Sequence, residues 1–173
     1  MKPNSKNPII IGLLTSSLCC SHPLGTVVEL KNHNATNNLR MTRRAKLAEA
    51  TDKLNRLVQD RFELMPAVAH YKWLSGKPIE DLEREQVLLV QVAELAESQG
   101  ACPDAASLYF QGLIDQSKII QRKLHESWKT SPPDHKSADI DLLRKEIDSL
   151  TPRILRAWIH LLEVESSEIT LTN

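Results

Sequence analysis

Charge of one sign is missing from this chain. Its 173 residues carry 22 Lys and Arg against 22 Asp and Glu, so the formal net charge is zero. That balance excludes a protein working through a bulk basic surface, as nucleic-acid binders do. It equally excludes an acidic, disordered chain. Glycine is scarce, with five residues, and no glycine-rich phosphate loop is present. Of three cysteines, Cys19 and Cys20 are adjacent and Cys102 stands alone. Neither a zinc site nor an even disulfide framework follows from that spacing. No apolar run approaches the roughly 20 residues that a bilayer span needs. Strand-like alternation is absent too. His70, His125, His135 and His160 lack metal-ligand spacing, and there is no pair of Glu-x-x-His motifs for a two-metal bundle. No Ser or Cys nucleophile stands in a recognisable setting. The residues therefore indicate no metal and no cofactor.

What is present is helical. Leu, Ala, Glu, Lys and Gln dominate long runs, and apolar residues recur at three- and four-residue spacing. Four stretches are expected, at about 42–73, 79–98, 104–129 and 138–165. Pro66 and Pro152 fall inside the first and last and should kink each or remove a backbone bond. Gly76 with Pro78, Gly100 with Pro103, and Pro132-Pro133 punctuate the chain. The expectation is an all-α bundle of about four helices, the first long, within one domain over 41–173.

The N-terminus reads as an address. Lys2 and Lys6 precede the modest apolar run Pro8-Ile-Ile-Ile-Gly-Leu-Leu-Thr-Ser-Ser-Leu-Cys-Cys20. A short basic region, an apolar stretch and small residues make a secretory signal, expected over 1–25. Residues 26–40, with four asparagines, read as a linker.

The informative feature is polar residues on apolar faces. Helical residues seven or eleven apart share a face, because each turns by about 100°. Arg61 lies seven residues from Leu54 and Val68 and four from Leu57 and Met65. Lys72 is eleven further on. Ser117 lies amid Phe110, Leu113, Ile114 and Leu124, with Gln121 one turn later, and Arg84 shares a side with Leu88 and Leu95. One buried cation is explained by an interhelical ion pair or a snorkelling chain. Several together point to a cationic, hydrogen-bonding pocket inside a bundle. Its natural occupant is a small polyanion such as a dicarboxylate, which arginine grips through two parallel bonds.

The stretches Asp60-Arg-Phe-Glu-Leu-Met-Pro-Ala-Val-Ala-His-Tyr-Lys72, Pro78-Ile-Glu-Asp-Leu-Glu-Arg-Glu85 and Phe110-Gln-Gly-Leu-Ile-Asp-Gln-Ser-Lys-Ile-Ile-Gln121 resemble the all-helical (type II) chorismate mutases. The likeness covers most of 44–128. The tail Ile147-Asp-Ser-Leu-Thr-Pro-Arg-Ile-Leu155 is similar to the exported, monofunctional subclass. The resemblance implies an isomerase that converts chorismate to prephenate by an intramolecular Claisen rearrangement. Such a reaction needs no nucleophile, metal or cofactor. It also implies a homodimer, in a periplasmic or secreted location, with the cytoplasm as the alternative. Arg61 would bind a substrate carboxylate, and Lys72 the ether oxygen and a carboxylate. Asp81 would contribute through its backbone. Arg84 would order the site, and Glu85 would accept the ring hydroxyl. Ser117 would hold a carboxylate, and Gln121 would donate to the ether oxygen. A further arginine is needed for the clamp. Arg153, in the exported-type tail, is favoured. Arg44, acting from a partner chain, is the alternative. A non-catalytic exported helical module that keeps the fold is the competing function.

Overall fold

The computed structural model describes residues 33–134 and 139–169. The expected signal segment lies outside them. Five helices follow one another: α1 (His33–Glu63), α2 (Met65–Ser75), α3 (Leu82–Ser98), α4 (Pro103–Trp128) and α5 (Ile140–Ile169). No strand occurs among the described residues, and none of these helices is long and apolar enough to cross a membrane. The chain divides into two units, Met1–Thr42 and Arg43–Asn173. In the first, the described residues are the opening turns of α1. His33 to Arg40, expected as linker, are helical, and Thr42 Oγ1 donates to the Asn38 carbonyl there at 2.9 Å.

The second unit holds the core. The first expected stretch is two helices, because the chain breaks at Leu64. Pro66 has no N–H to give to the Phe62 carbonyl, which weakens the helix where α1 breaks. α2 restarts with Pro66 in its first turn, where a missing donor costs nothing. It ends at Gly76, whose φ of 66° lets Gly76 and Lys77 N–H donate back to Trp73 and Lys72 carbonyls. The second stretch starts later than the 3.6-residue pattern suggests. Residues 79–81 are not helical, and Asp81 is the N-cap of α3, its carboxylate accepting from Arg84 N–H at 3.4 Å. Gly100, φ 74°, ends α3, and Pro103 opens α4. Asp139 Oδ1 accepts from Asp141 N–H at 2.9 Å and so caps α5. α5 runs through Pro152, which leaves the Asp148 carbonyl without its helical donor.

The apolar faces meet in one cluster. α1 gives Ala50, Leu54, Leu57, Val58 and Phe62, and α2 gives Met65 and Val68. α3 gives Val92 and Ala96, while α4 gives Ala106, Phe110 and Leu113. α5 adds Leu150, Ile154, Leu155, Ala157, Trp158 and Leu161. α4 packs on α2 and α3, and α5 packs on the same two. Phe110 is wholly buried, so truncating it to alanine should cost about 3–5 kcal/mol. The C-terminal half of α5 is thus anchored. Its first turns are more exposed and reach the site.

Candidate active site

A cavity of about 500 Å³ opens between the end of α1, α2, the start of α3, the middle of α4 and the start of α5. Arg61, Lys72, Asp81, Arg84, Glu85, Ser117 and Gln121 all line it. Residues sixty positions apart in sequence thus meet on one wall. The lining holds six basic side chains (Arg61, Lys72, Lys77, Arg84, Lys118, Arg144) and four acidic ones (Glu80, Asp81, Glu85, Asp148), an excess of two positive charges.

Arg61 occupies the last turn of α1 and is only 4% exposed. Its Nε and Nη1 are buried without a hydrogen-bond partner. Gln121 is equally buried, and its Oε1 is unpartnered while Nε2 makes a weak contact to Met65 Sδ at 3.7 Å. Unmade hydrogen bonds from a buried charge are costly. Burial first, then the neighbouring Arg84 cation, push the Arg61 pKa down to about 10, with Asp148 opposing. Arg61 is therefore still a cation at neutral pH.

Lys72, in the last turn of α2, donates to the Ile79 carbonyl. That carbonyl is available because helix α3 has not yet begun. Burial lowers the Lys72 pKa, and the carboxylates of Asp81, Glu85 and Glu80 counter part of the drop. Ser117 Oγ donates to its own helix at Leu113, 2.7 Å away, which leaves its lone pairs available. Glu85 is held at both oxygens. Oε1 accepts Asp81 N–H at 3.2 Å, and Oε2 accepts Lys118 Nζ at 2.9 Å. Asp81 therefore spends its backbone N–H on Glu85 and its side chain on capping α3. Arg84 Nη2 donates to Asp148 Oδ1 at 2.8 Å.

The extra arginine is set differently from the other site residues. Arg153 is exposed and does not line the cavity. Of its helical neighbours, Ser149 and Arg156 are exposed while Leu150 and Ala157 are buried. Arg44 is exposed on α1, so it can still act from a partner chain. Arg144 is the arginine of α5 that lines the cavity. It lies four residues after Ile140, three before Ile147 and four before Asp148, and all of these line the cavity. Only loose pairs hold it, to Asp81 at 3.9 Å and Asp141 at 3.8 Å. The face rule that singled out Arg61 finds Arg144 when applied to α5. Lys118 and Asp148 also escaped notice, because partners far along the chain bring them to the wall. No group of three or more potential metal ligands occurs among the described residues.

Comparisons with known proteins place the chain in a family. The model of the type II chorismate mutases matches residues 43–122. A chorismate mutase of Methanocaldococcus jannaschii is 30% identical over 83 residues, 48% of this chain and 84% of that protein. The chain belongs to the type II chorismate mutase family. A crystal structure of the chorismate mutase from Burkholderia thailandensis superposes with a TM-score of 0.61 at 30% identity, over 71% of this chain and 87% of that one. The monofunctional chorismate mutase of Enterobacter agglomerans is 34% identical over 105 residues, 60% of this chain and 58% of that protein. The secreted chorismate mutase of Mycobacterium tuberculosis is 33% identical over 119 residues, 65% and 60% respectively. The match thus spans about three-fifths of those last two proteins. Within the family the matched segment ends at 122, so Arg144 and Asp148 lie beyond it.

Proposed function

We propose that this chain is a chorismate mutase, rearranging chorismate to prephenate by holding the substrate rather than by attacking it. The observation that carries the reading is Arg61, a buried guanidinium with unmade hydrogen bonds facing a cavity with two surplus positive charges. A dianion satisfies both. Arg61, Arg84 and Arg144 grip the two carboxylates, and Ser117 assists once its hydroxyl turns from the Leu113 carbonyl to the ligand. Fixing both ends presses the enolpyruvyl arm over the ring, a compact conformer uncommon in water. Glu85, pinned at both oxygens, accepts the ring hydroxyl. As the ether bond breaks, negative charge grows on its oxygen. Lys72 and the Gln121 amide donate to it from fixed positions in a water-poor site. Gln121 exchanges only a weak sulfur contact for that bond. The new carbon–carbon bond and the broken carbon–oxygen bond lie within one molecule, so the residues' task is orientation and charge stabilisation.

The test is loss of chorismate absorbance on adding purified protein. Lys72→Ala should lower kcat by about 10²–10³ with helicity retained, the usual cost of one such donor. Arg144→Ala should lower kcat/KM by at least about tenfold, as for a lost charged hydrogen bond. Arg153→Ala should be indistinguishable from the parent. Near-normal turnover by the Lys72 variant would sink the assignment. An effect at Arg153 but not at Arg144 would return the clamp to the other arginine.

Export and dimerisation complete the reading. Secreted chorismate mutases of Mycobacterium tuberculosis and Yersinia pestis are among the relatives, which supports an exported protein. The N-terminal residue of the mature chain decides it. Exposed apolar side chains on α3 and α5, including Leu82, Val90 and Leu142, support a homodimer. Light scattering on the eluting protein measures that.

A further inference from the structure

Asp148 is a carboxylate in the wall of a cavity that suits carboxylate ligands. It accepts one hydrogen bond from Arg84 at 2.8 Å. It lines the same cavity as Arg61, where its charge favours the protonated guanidinium and Arg84 disfavours it. Two like charges therefore share a wall, and one anion answers both. Arg61 is nearly fully buried, so its repulsion with Arg84 is poorly screened. Asp148 draws a single N–H from Arg84. A guanidinium has five, so the rest can still meet a ligand carboxylate. The α5 backbone that carries Asp148 is fixed one turn later by Leu150, Thr151 and Ile154, all buried.

We propose that Asp148 is a positioning residue. It fixes the Arg84 guanidinium and offsets the repulsion between Arg84 and Arg61, so that both cations are preset for a dianionic ligand. The proposal rests on the reading of the cavity as a dicarboxylate site. A purely structural role predicts something different. Both partners are about half exposed, and such pairs add little to folding stability. A surface pair would leave affinity alone. A competitor for Arg84 would weaken the parent's affinity, and its removal would tighten binding.

The experiment uses the full chain with Asp148→Ala, Asp148→Asn, Asp148→Glu, Arg84→Ala and the Asp148→Ala/Arg84→Ala pair. Each is titrated calorimetrically with a bicyclic dicarboxylate shaped like the rearrangement's transition state, and assayed with chorismate. Asp148→Ala should raise Kd and KM about tenfold with kcat within about threefold, the pattern of lost binding rather than lost chemistry. Asp148→Asn should fall between, and Asp148→Glu should recover most of the loss. In the Arg84→Ala background, Asp148→Ala should change Kd by less than about twofold, because its main route of action is gone. Tighter or unchanged binding by Asp148→Ala overturns the proposal, as does full additivity in the double variant. The titration needs no turnover. A parent that binds the dicarboxylate without consuming chorismate refutes the catalytic reading alone. A parent that does not bind it refutes this one.

Discussion

Helix α4 passes two clusters of polar groups within two turns, and they are built on opposite principles. Around His125, which is half-buried, each histidine has a hydrogen-bond partner. Its Nε2 donates to the Ala69 carbonyl at 2.9 Å, and Trp73 stands edge-on at 5.2 Å. Trp128 lies at 5.6 Å from His125 and 5.8 Å from His70, whose Nε2 donates to the Asp134 carbonyl at 2.7 Å. One turn earlier, Gln121 and Arg61 are more deeply buried and leave three polar atoms unpartnered. The first cluster ties α2 to α4 and asks for nothing more. The second has the same type of surroundings and unmet demand. Unmet hydrogen bonds separate a site from scaffolding better than polarity does. Tyr109 marks the limit of that rule. Its hydroxyl is buried and unpartnered while its ring stacks on Trp158, and burial simply keeps the phenol protonated.

The contrast breaks most visibly at Arg61. Arg61→Met should cut turnover by at least about a hundredfold, since a carboxylate grip is lost. The same change should make the protein about 1–2 kcal/mol more stable in a urea titration, because an unpaired buried charge is removed. A destabilised variant would mean that Arg61 serves the fold.

A pH series sharpens the contrast next. The site needs Lys72 as a cation. Its pKa is lowered from 10.5 by burial, so the rate should be full at neutral pH and fall on the alkaline side as Lys72 loses its proton. Gln121 does not titrate, so position 121 adds no loss of donor function as pH rises. A sharp fall between about pH 6 and 8 would contradict an uncharged donor at that position.

The smallest effect belongs to the satisfied cluster. His125→Phe keeps a ring against the two tryptophans and loses the bond to Ala69. Stability should drop by about 1 kcal/mol, the usual net worth of such a bond, with kcat/KM within about twofold. A large kinetic effect would join the two clusters into one functional unit.

Much of this was legible from residue spacing, and the reasons are local. Arg61, Ser117 and Gln121 stand out because each interrupts an apolar stripe on its own helix. The helix ends at Gly76, Gly100 and Pro103 follow from backbone chemistry alone. The break at Leu64 was visible only as a kink at Pro66. The start of α3 was read three residues early, because Ile79 fits a helical stripe while the Asp81 cap decides where helix begins. Lys118 and Asp148 were missed for another reason. Their meaning comes from Glu85 and Arg84, which lie 33 and 64 residues away. The tail motif points to Arg153, which stands nine residues beyond Arg144 at an exposed position of α5.

A chain with no net charge has no long-range pull on an anion. Its surplus of two positive charges sits at one opening, and the compensating negative charge is spread elsewhere. Such a distribution acts as a lens rather than a magnet. A dianion drifting past feels nothing until it is within roughly a screening length, about 8–10 Å in physiological salt. It is then drawn to the mouth, with low-dielectric walls concentrating the field. Capture is thus set by where the charges stand.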